Sequence, residues 1–300
     1  MRNKIRIFGV PMDMGQKRRG VDMGPSAIRY AGLQEKLESL GYAVCDSGNV
    51  EVSQQEEVLD SYNDSVRVHY LPQVAQICRA AYDRIHQQLQ PDEIGVFLGG
   101  DHSISIGTVS AIHQRGKIGV LWVDAHADFN TPETSPSGNI HGMVLAVLLG
   151  DGPHELTVIG GSQPKLKPCQ VAMVGVRDVD PHERLRLLDS GINVHTIRTV
   201  DEHGMSSVAH NILAQFADCD YLHVSLDLDS CEPQIAPGVG TPVDGGLSYR
   251  EAHLLMEILA DSGKVGSVDV VEINPILDVA NRTAIIAAEL LASLLGKRIL

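Results

Sequence analysis

Aspartate and histidine side chains cluster directly after three short apolar runs of the sequence. Ile94–Leu98 leads into GGDH, Ile118–Val123 leads into DAHAD, and Tyr221–Leu226 leads into DLD. Carboxylates and neutral imidazoles are ligands of divalent cations. The candidate metal ligands in these motifs are His102, Asp124, His126, Asp128, Asp227 and Asp229.

The spacing inside two of the motifs favours convergence on one point. In an extended segment, alternate side chains point to the same face. Asp124, His126 and Asp128 are therefore expected to face together, as are Asp227 and Asp229. Taken singly, each residue has an ordinary structural alternative, such as a helix cap, a turn former or a histidine with satisfied hydrogen bonds. Taken together, they predict a metal centre.

Charge balance indicates how many cations such a centre holds. Several carboxylates buried near one another cost many kcal/mol through desolvation and repulsion unless cations lie among them. Four carboxylates and two neutral imidazoles balance two divalent ions, with a bridging hydroxide as a further anion. The oxygen-rich set suits Mn²⁺ better than structural zinc. Cys231 is a conceivable soft ligand, but a buried inert thiol is the expected role.

The elements that position these motifs alternate between strand and helix patterns, which predicts βαβ units on a parallel sheet. The predicted strands are Ile5–Val10, Ile94–Leu98, Ile118–Val123, Val171–Val176, Tyr221–Leu226 and Val268–Ile273. The predicted helices are Ser26–Leu40, Leu71–Leu89, Ser103–Gln114, His141–Leu149, Pro181–Asp189, Met205–Phe216, Tyr249–Asp261 and Asn281–Leu295. Because no linker or repeat interrupts the pattern, we expect one α/β domain over residues 1–300. Ligands of parallel sheets bind outside the carboxyl ends of the strands, where the three motifs lie.

Composition excludes several classes of protein. The chain of 300 residues is 43% hydrophobic and 21% charged, as in ordinary globular proteins. Its formal charge of −14 disfavours nucleic acid and anionic membranes as partners and favours cationic small molecules, although acidic excess also serves solubility. The five cysteines form no CxxC pair, the first residues are too polar for a signal peptide, and no stretch is long enough to span a membrane. A cytoplasmic protein is expected.

The motifs together resemble the arginase (ureohydrolase) superfamily. The three family signatures are similar to GGDHS at Gly99–Ser103, DAHAD at Asp124–Asp128 and SLDLD at Ser225–Asp229, in the family's order. The segments Gly9–Arg29 and Val271–Asp278 also resemble arginase segments. The resemblance covers nearly the entire chain.

The resemblance implies a three-layer α/β/α fold with a parallel central sheet, assembled as a homo-oligomer, either a trimer or a hexamer. It implies that two Mn²⁺ ions per subunit cleave the guanidinium group of L-arginine through a metal-bridging hydroxide, releasing L-ornithine and urea. One metal would be held by His102, Asp124, Asp128 and Asp227. The other would be held by Asp124, His126, Asp227 and Asp229.

The resemblance also assigns residues to the substrate. Glu272 would bind the guanidinium, and His141 would transfer a proton to the leaving amine, for which a histidine with a pKa near neutrality is suited. Asp180 would receive the α-amino group, with Asp178 supporting the site. The α-carboxylate would be bound by Asn130, Ser135 and Ser137, which lie in a segment rich in short hydroxyl and amide donors. An ordinary polar turn would have the same composition.

Two departures from the family pattern leave other activities open. Glu232 stands where the family usually has aspartate, and Val144 stands where arginases usually have proline. An extra methylene at Glu232 is able to shift the loop that carries Asp229. One alternative is hydrolysis of another guanidino compound, such as agmatine or a guanidino acid. Another is a non-catalytic, metal-dependent arginine-binding protein, against which the retention of His141 and Glu272 argues.

Overall fold

The computed structural model describes residues 3–53 and 67–298, and within them eight strands form one sheet. The strands are β1 Lys4–Val10, β2 Ala43–Asn49, β3 Glu93–Gly99, β4 Ile118–Val123, β5 Val171–Val176, β6 Asn193–Thr196, β7 Tyr221–Asp227 and β8 Val265–Val271. Their order across the sheet is β2-β1-β3-β8-β7-β4-β5-β6, and every neighbouring pair is parallel. All six predicted strands are confirmed, with ends shifted by a few residues.

Helices cover both faces of the sheet. They are α1 Gly24–Tyr30, α2 Leu33–Ser39, α3 Leu71–Gln88, α4 Ile104–Ile112, α5 Val144–Leu148, α6 His154–Thr157, α7 Pro181–Asp189, α8 Ile197–His203, α9 Met205–Gln215, α10 Tyr249–Asp261 and α11 Arg282–Leu294. One core packs beneath α1, α2, α9, α10 and α11, and the other beneath α3, α4 and α5. The predicted single-domain α/β fold with a parallel central sheet is therefore confirmed. In residues 3–53 and 67–298, no helix combines the length and apolar character needed to cross a membrane.

The central strands are continuous apolar runs, which is why the sequence predicted them. Every residue of β3, β4 and β7 is buried, because helices cover both sides of a parallel sheet. The two strands that the sequence patterns missed, β2 and β6, lie at the two edges and are partly exposed. An edge strand with polar residues gives neither a continuous apolar run nor a clean alternation.

The helix predicted at Ser26–Leu40 was wrong in extent. It is two short helices, α1 and α2, separated by Gly32 in the left-handed conformation at φ 76°. Apolar spacing continues across this break because both pieces pack on the same core. The predicted helices Ser103–Gln114 and His141–Leu149 each combine an α-helix with a 3₁₀ turn, at His113–Arg115 and Ile140–Met143 respectively.

Candidate metal centre and active site

Four adjacent strands deliver the candidate site. His102 follows β3, Asp124 follows β4, and Asp227 ends β7. Glu272 follows β8, which lies between β3 and β7 in the sheet. Because the strands are parallel, their carboxyl ends meet at one edge, and the side chains converge there.

A first group of ligand atoms surrounds the ring nitrogen of His102. The Nδ1 atom lies 3.1 Å from Asp124 Oδ2, 3.0 Å from Asp128 Oδ2 and 3.2 Å from Asp227 Oδ2. All four side chains are buried. Atoms of His102, Asp124 and Asp128 lie close enough together to share one ion.

A second group shares Asp124 with the first. His126 Nδ1 lies 3.0 Å from Asp229 Oδ2 and 3.4 Å from Asp124 Oδ1. Asp124, His126 and Asp229 again have ligand atoms within the reach of one ion. The structure thus brings all six predicted ligands together in two groups joined by Asp124. Asp227, predicted to bridge as well, lies against His102 of the first group.

The predicted alternation of side chains along extended segments was wrong at both motifs. Asp128 has φ 49°, in the left-handed region, and the segment after β4 is not a strand. Asp229 lies in a 3₁₀ turn, Leu228–Ser230, in which its N–H donates to Asp227 Oδ1 at 2.8 Å. The side chains converge because tight turns redirect them after each strand ends.

The carboxylates crowd one another electrostatically. Burial raises the pKa of Asp227 well above its usual range, and the charges of Asp229 and Asp124 raise it further. Burial and Asp124 raise the pKa of Asp128 to about 6. Burial acts in the same direction on Asp124, but the His102 and His126 imidazoles outweigh it and hold that pKa below its ordinary value. Without cations, this group of acids therefore resists full ionisation.

Three buried atoms of the first group fit a metal site. His102 Nδ1, Asp124 Oδ2 and Asp128 Oδ2 are shielded from solvent and accept or donate no hydrogen bond. Such groups are costly to bury unless something else binds them. A divalent cation is a partner that all three share, since oxygen and imidazole donors without thiolate suit Mn²⁺ and similar ions.

Glu272 and His141 form a second polar pair beside these ligands. His141 Nδ1 lies 3.1 Å from Glu272 Oε1, which also accepts a hydrogen bond from the His102 N–H at 3.0 Å. Gln16 Nε2 donates to Glu272 Oε2 at 2.7 Å. Glu272 is 1% exposed, so these donors stabilise a buried charge. The backbone of Glu272 is left-handed at φ 63°.

An open cleft of about 260 Å³ connects the metal-ligand groups with the predicted substrate residues. Its polar lining includes His126, Asp128, Asn130, Ser135, Ser137, Asn139, His141, Asp178, Asp180, Glu183, Asp227, Asp229 and Thr241. Asn130 Nδ2 donates to Asp180 Oδ2 at 3.0 Å across the cleft. Members of both predicted halves of the site thus line one cavity of small-molecule size, although its lining does not include His102, Asp124 or Glu272.

Comparison with known proteins assigns the chain to a family. The Arginase family model matches residues 3–296. The chain belongs to the arginase family. It is 48% identical to the arginase of Bacillus caldovelox over 298 residues, which cover 99% of each protein. A crystal structure of the Bacillus subtilis arginase superposes with a TM-score of 0.93 at 46% identity, covering 99% of each chain. The arginase of Entamoeba histolytica, solved in complex with L-ornithine, gives 0.90 at 32% identity, covering 98% of this chain and 99% of that one.

The chain is therefore a hydrolase of the arginase family. Its two metal-ligand groups lie at the carboxyl ends of the strands. The two departures noted in the sequence lie outside those groups. Val144 is fully buried at the start of α5. Glu232 Oε2 accepts hydrogen bonds from the N–H groups of Gly245 and Gly246, both at 2.9 Å. The recorded side-chain hydrogen bonds of Glu232 therefore stabilise a loop, and none of them goes to a candidate ligand.

Sequence reasoning missed several residues that this arginase-family site uses. Gln16 orients Glu272, and Thr241 Oγ1 donates to Asp229 Oδ2 at 3.0 Å. Arg177 donates to the backbone carbonyls of Asp229 and Val243, both at 2.7 Å. The only signal for Gln16 was its place within the Gly9–Arg29 segment. The loop and backbone contacts of Thr241 and Arg177 leave no pattern in sequence.

Proposed function

We propose that this protein hydrolyses L-arginine to L-ornithine and urea, using two Mn²⁺ ions per subunit. The observation that carries the proposal is one cleft lined by members of both metal-ligand groups, by His141 and by predicted substrate residues. The lining members are Asp128 and Asp227 of the first group, His126 and Asp229 of the second, and the substrate residues Asn130, Ser135, Ser137 and Asp180. The arginase relatives support the substrate, and one of them binds L-ornithine, the product of that reaction. The whole chain, residues 1–300, would act as one metallohydrolase domain.

The metal ions would be held by the two groups of ligand atoms. His102, Asp124, Asp128 and Asp227 would bind one ion, and Asp124, His126, Asp227 and Asp229 the other. When bound, such cations supply Lewis-acid activation of water near neutral pH. We count Asp128 among the catalytic residues because, without its carboxylate, the first group of ligands would lose its ion.

Glu272 and His141 would act on the guanidinium. The Glu272 carboxylate, fixed by Gln16 and the His102 N–H, offers a negative charge of defined orientation to a cationic substrate. Burial lowers the pKa of His141, but the hydrogen bond and charge of Glu272 outweigh it and raise that pKa to about 9. His141 is therefore protonated near neutral pH and is suited to donate a proton to the leaving amine.

The far end of the cleft would recognise the amino-acid part of the substrate. Ser135 Oγ accepts a hydrogen bond from the Gly138 N–H at 3.0 Å, and Ser137 Oγ accepts one from the Asn139 N–H at 3.2 Å. The two serine oxygens lie 3.5 Å apart, so at most one of the two O–H groups is used between them. At least one serine O–H is therefore available as a donor to a carboxylate. Asn130 would complete this set. Asp180 offers a carboxylate to the α-amino group.

The assembly, compartment and partners of the enzyme are also proposed. The family resemblance supports a homo-oligomer, a trimer or hexamer, which light scattering would measure. The five free thiols support a cytoplasmic enzyme. The acidic net charge of −14 supports a cationic small-molecule substrate and argues against nucleic acid or a membrane as partner.

Urea release by Mn²⁺-loaded protein tests the reaction, with arginine and agmatine assayed side by side. We expect arginine to be hydrolysed faster, because only arginine offers a carboxylate to the serine donors. Asp128→Ala should abolish turnover and weaken Mn²⁺ binding. Asp151→Ala, the same substitution at an exposed carboxylate paired with Arg186, serves as control.

Each outcome of this assay separates the alternatives. No urea from either compound would remove arginine and agmatine as substrates and leave a guanidino acid as substrate or a non-catalytic binding role. Faster hydrolysis of agmatine would replace arginine as the substrate. Normal turnover and Mn²⁺ affinity in Asp128→Ala would contradict the proposed coordination.

A further inference from the structure

A chain of buried polar side chains runs from Asp269 on β8 to the candidate ligand His102. Ser105 Oγ donates to Asp269 Oδ2 at 2.5 Å, and Ser225 Oγ lies 3.5 Å from Ser105 Oγ. His102 Nε2 lies 2.8 Å from Ser225 Oγ. None of the four side chains is more than 1% exposed, so solvent does not share these contacts. The chain connects a carboxylate of the core with the metal-ligand groups.

A further donor shows that Asp269 Oδ2 acts as an acceptor. Thr108 Oγ1 donates to Asp269 Oδ2 at 2.9 Å, and His223 Nε2 lies 3.2 Å from the same oxygen. The opposite ring nitrogen of His223 lies 3.0 Å from Ser267 Oγ. A carboxylate buried in this way is costly unless several donors stabilise its charge. Ser105 and Thr108 supply two such donors to Oδ2, whereas Oδ1 is buried and has no hydrogen-bond partner among the described residues.

The Asp269 carboxylate, which only accepts, sets the direction of every hydrogen bond between it and His102. A hydroxyl has one hydrogen, and that of Ser105 is taken by Asp269. Ser105 Oγ is then left only as an acceptor, so Ser225 must donate to it. Ser225 in turn accepts from His102, which places the proton of that imidazole on Nε2. The lone pair of His102 therefore lies on Nδ1.

We propose that Asp269 is a positioning residue that, through Ser105 and Ser225, holds His102 in the Nε2–H tautomer required for metal binding. This inference rests on the metal centre of the proposed function. The Nδ1 lone pair faces the carboxylates of Asp124 and Asp128, an arrangement that is repulsive without a cation and favourable with one. In the opposite tautomer, a proton would occupy the position of the metal.

Paired variants on α4 test this role. Asp269→Asn would also remove charge from the core and threatens folding, so the decisive variants retain Asp269. Ser105→Ala removes the hydroxyl that connects Asp269 with Ser225. Thr108→Val, the matched control, removes a hydroxyl that bonds the same carboxylate oxygen but lies off the path to His102. Both substitutions cost one buried hydrogen bond to Asp269, so a merely structural role predicts similar effects.

The readout is Mn²⁺ affinity, measured without substrate by equilibrium dialysis and by fluorescence. Trp122 is the only tryptophan of the chain, and its ring stacks on His102 with centroids 4.0 Å apart and planes 5° apart. Its emission therefore reports on the ion bound at that imidazole. We expect Ser105→Ala to weaken Mn²⁺ binding at this position by about tenfold, as loss of partners behind a metal ligand commonly does. Thr108→Val should stay within about threefold of the parent protein.

The comparison distinguishes failure of this inference from failure of the proposed function. Equal affinities in the parent and Ser105→Ala would overturn the positioning role, and so would an equal loss in Thr108→Val. A parent protein that binds Mn²⁺ but releases no urea would remove the arginine reaction and leave this comparison intact. A parent that binds no Mn²⁺ would overturn both.

Discussion

Replacing Glu232 tests whether this residue stabilises a loop or tunes the metal centre. Its Oε2 accepts the N–H groups of Gly245 and Gly246, each at 2.9 Å, and it lies partly exposed. A hydrogen bond to a charged group contributes about 1.5–3 kcal/mol. Partial exposure reduces this to about 1 kcal/mol per bond. Glu232→Ala should therefore lower the free energy of unfolding by about 2 kcal/mol.

Glu232→Gln provides a graded control. Both glycine N–H groups donate to one oxygen, so the amide oxygen of glutamine is able to accept both bonds without the charge. We expect about half the loss of Glu232→Ala, near 1 kcal/mol. Urea denaturation of metal-free protein measures both values, because unfolding of the metal-free form excludes any contribution from metal binding.

Metal affinity should change little in either variant. The Asp229 carboxylate has its own donors, the Ala125 N–H at 3.1 Å and Thr241 Oγ1 at 3.0 Å. Arg177 also holds the Asp229 carbonyl. We therefore expect Mn²⁺ dissociation constants within about threefold of the parent. A tenfold loss of Mn²⁺ affinity with unchanged stability would refute this reasoning and show that the departure at Glu232 acts on the metal.

Two further predictions concern buried titratable groups. Burial raises the pKa of Glu183 from its ordinary value of 4.5 to about 7, so the folded protein binds this proton more tightly than the unfolded chain and loses stability as the pH rises between those values. Glu183→Gln removes the group that titrates and therefore removes that loss. Between pH 5 and pH 8, the free energy of unfolding of the metal-free variant should rise by about 2 kcal/mol relative to that of the parent. Urea denaturation at both pH values measures this, and a difference between variant and parent that does not change with pH would contradict the prediction. For the thiols, burial raises the pKa of Cys231 to about 12 and also raises that of Cys78, so a thiol reagent at pH 8 should label the native protein at the exposed Cys45 and Cys169 first. Mass spectrometry identifies the labelled residues, and rapid modification of Cys231 in folded protein would disprove its assignment as a buried inert thiol.

The fold could be predicted where burial leaves a pattern. β3, β4 and β7 are buried on both faces, and their apolar runs revealed both the strands and the sheet edge where ligands bind. β6 has four residues, with Asn193 and Thr196 at its ends, and has no such run. It forms because its backbone pairs with β5, and backbone hydrogen bonds do not require an apolar run.

The site could be predicted as a set of residues but not as a geometry. The strand-end rule located His102 and Asp227, whereas the assumption of an extended chain failed at Asp128 and Asp229. Gln16 and Thr241 reach the site from loops, Gln16 lying 256 positions from Glu272 and Thr241 lying 12 positions from Asp229. Such contacts depend on tertiary packing, which local spacing does not encode.

Two residues of the site have a strained left-handed backbone that sets the direction of their side chains. Asp128 and Glu272 have φ of 49° and 63°, which costs a residue with a Cβ about 1 kcal/mol each. Neighbouring chain holds both in place: the Asp128 carbonyl accepts from the Leu145 N–H at 2.9 Å, and the Glu272 N–H donates to the Gly100 carbonyl at 2.9 Å. Glycine would relieve the strain at either position but would remove the carboxylate. The strain therefore persists at two side chains that the proposed reaction requires, because the left-handed backbone directs each carboxylate to its partners, Asp128 to His102 and Glu272 to His141.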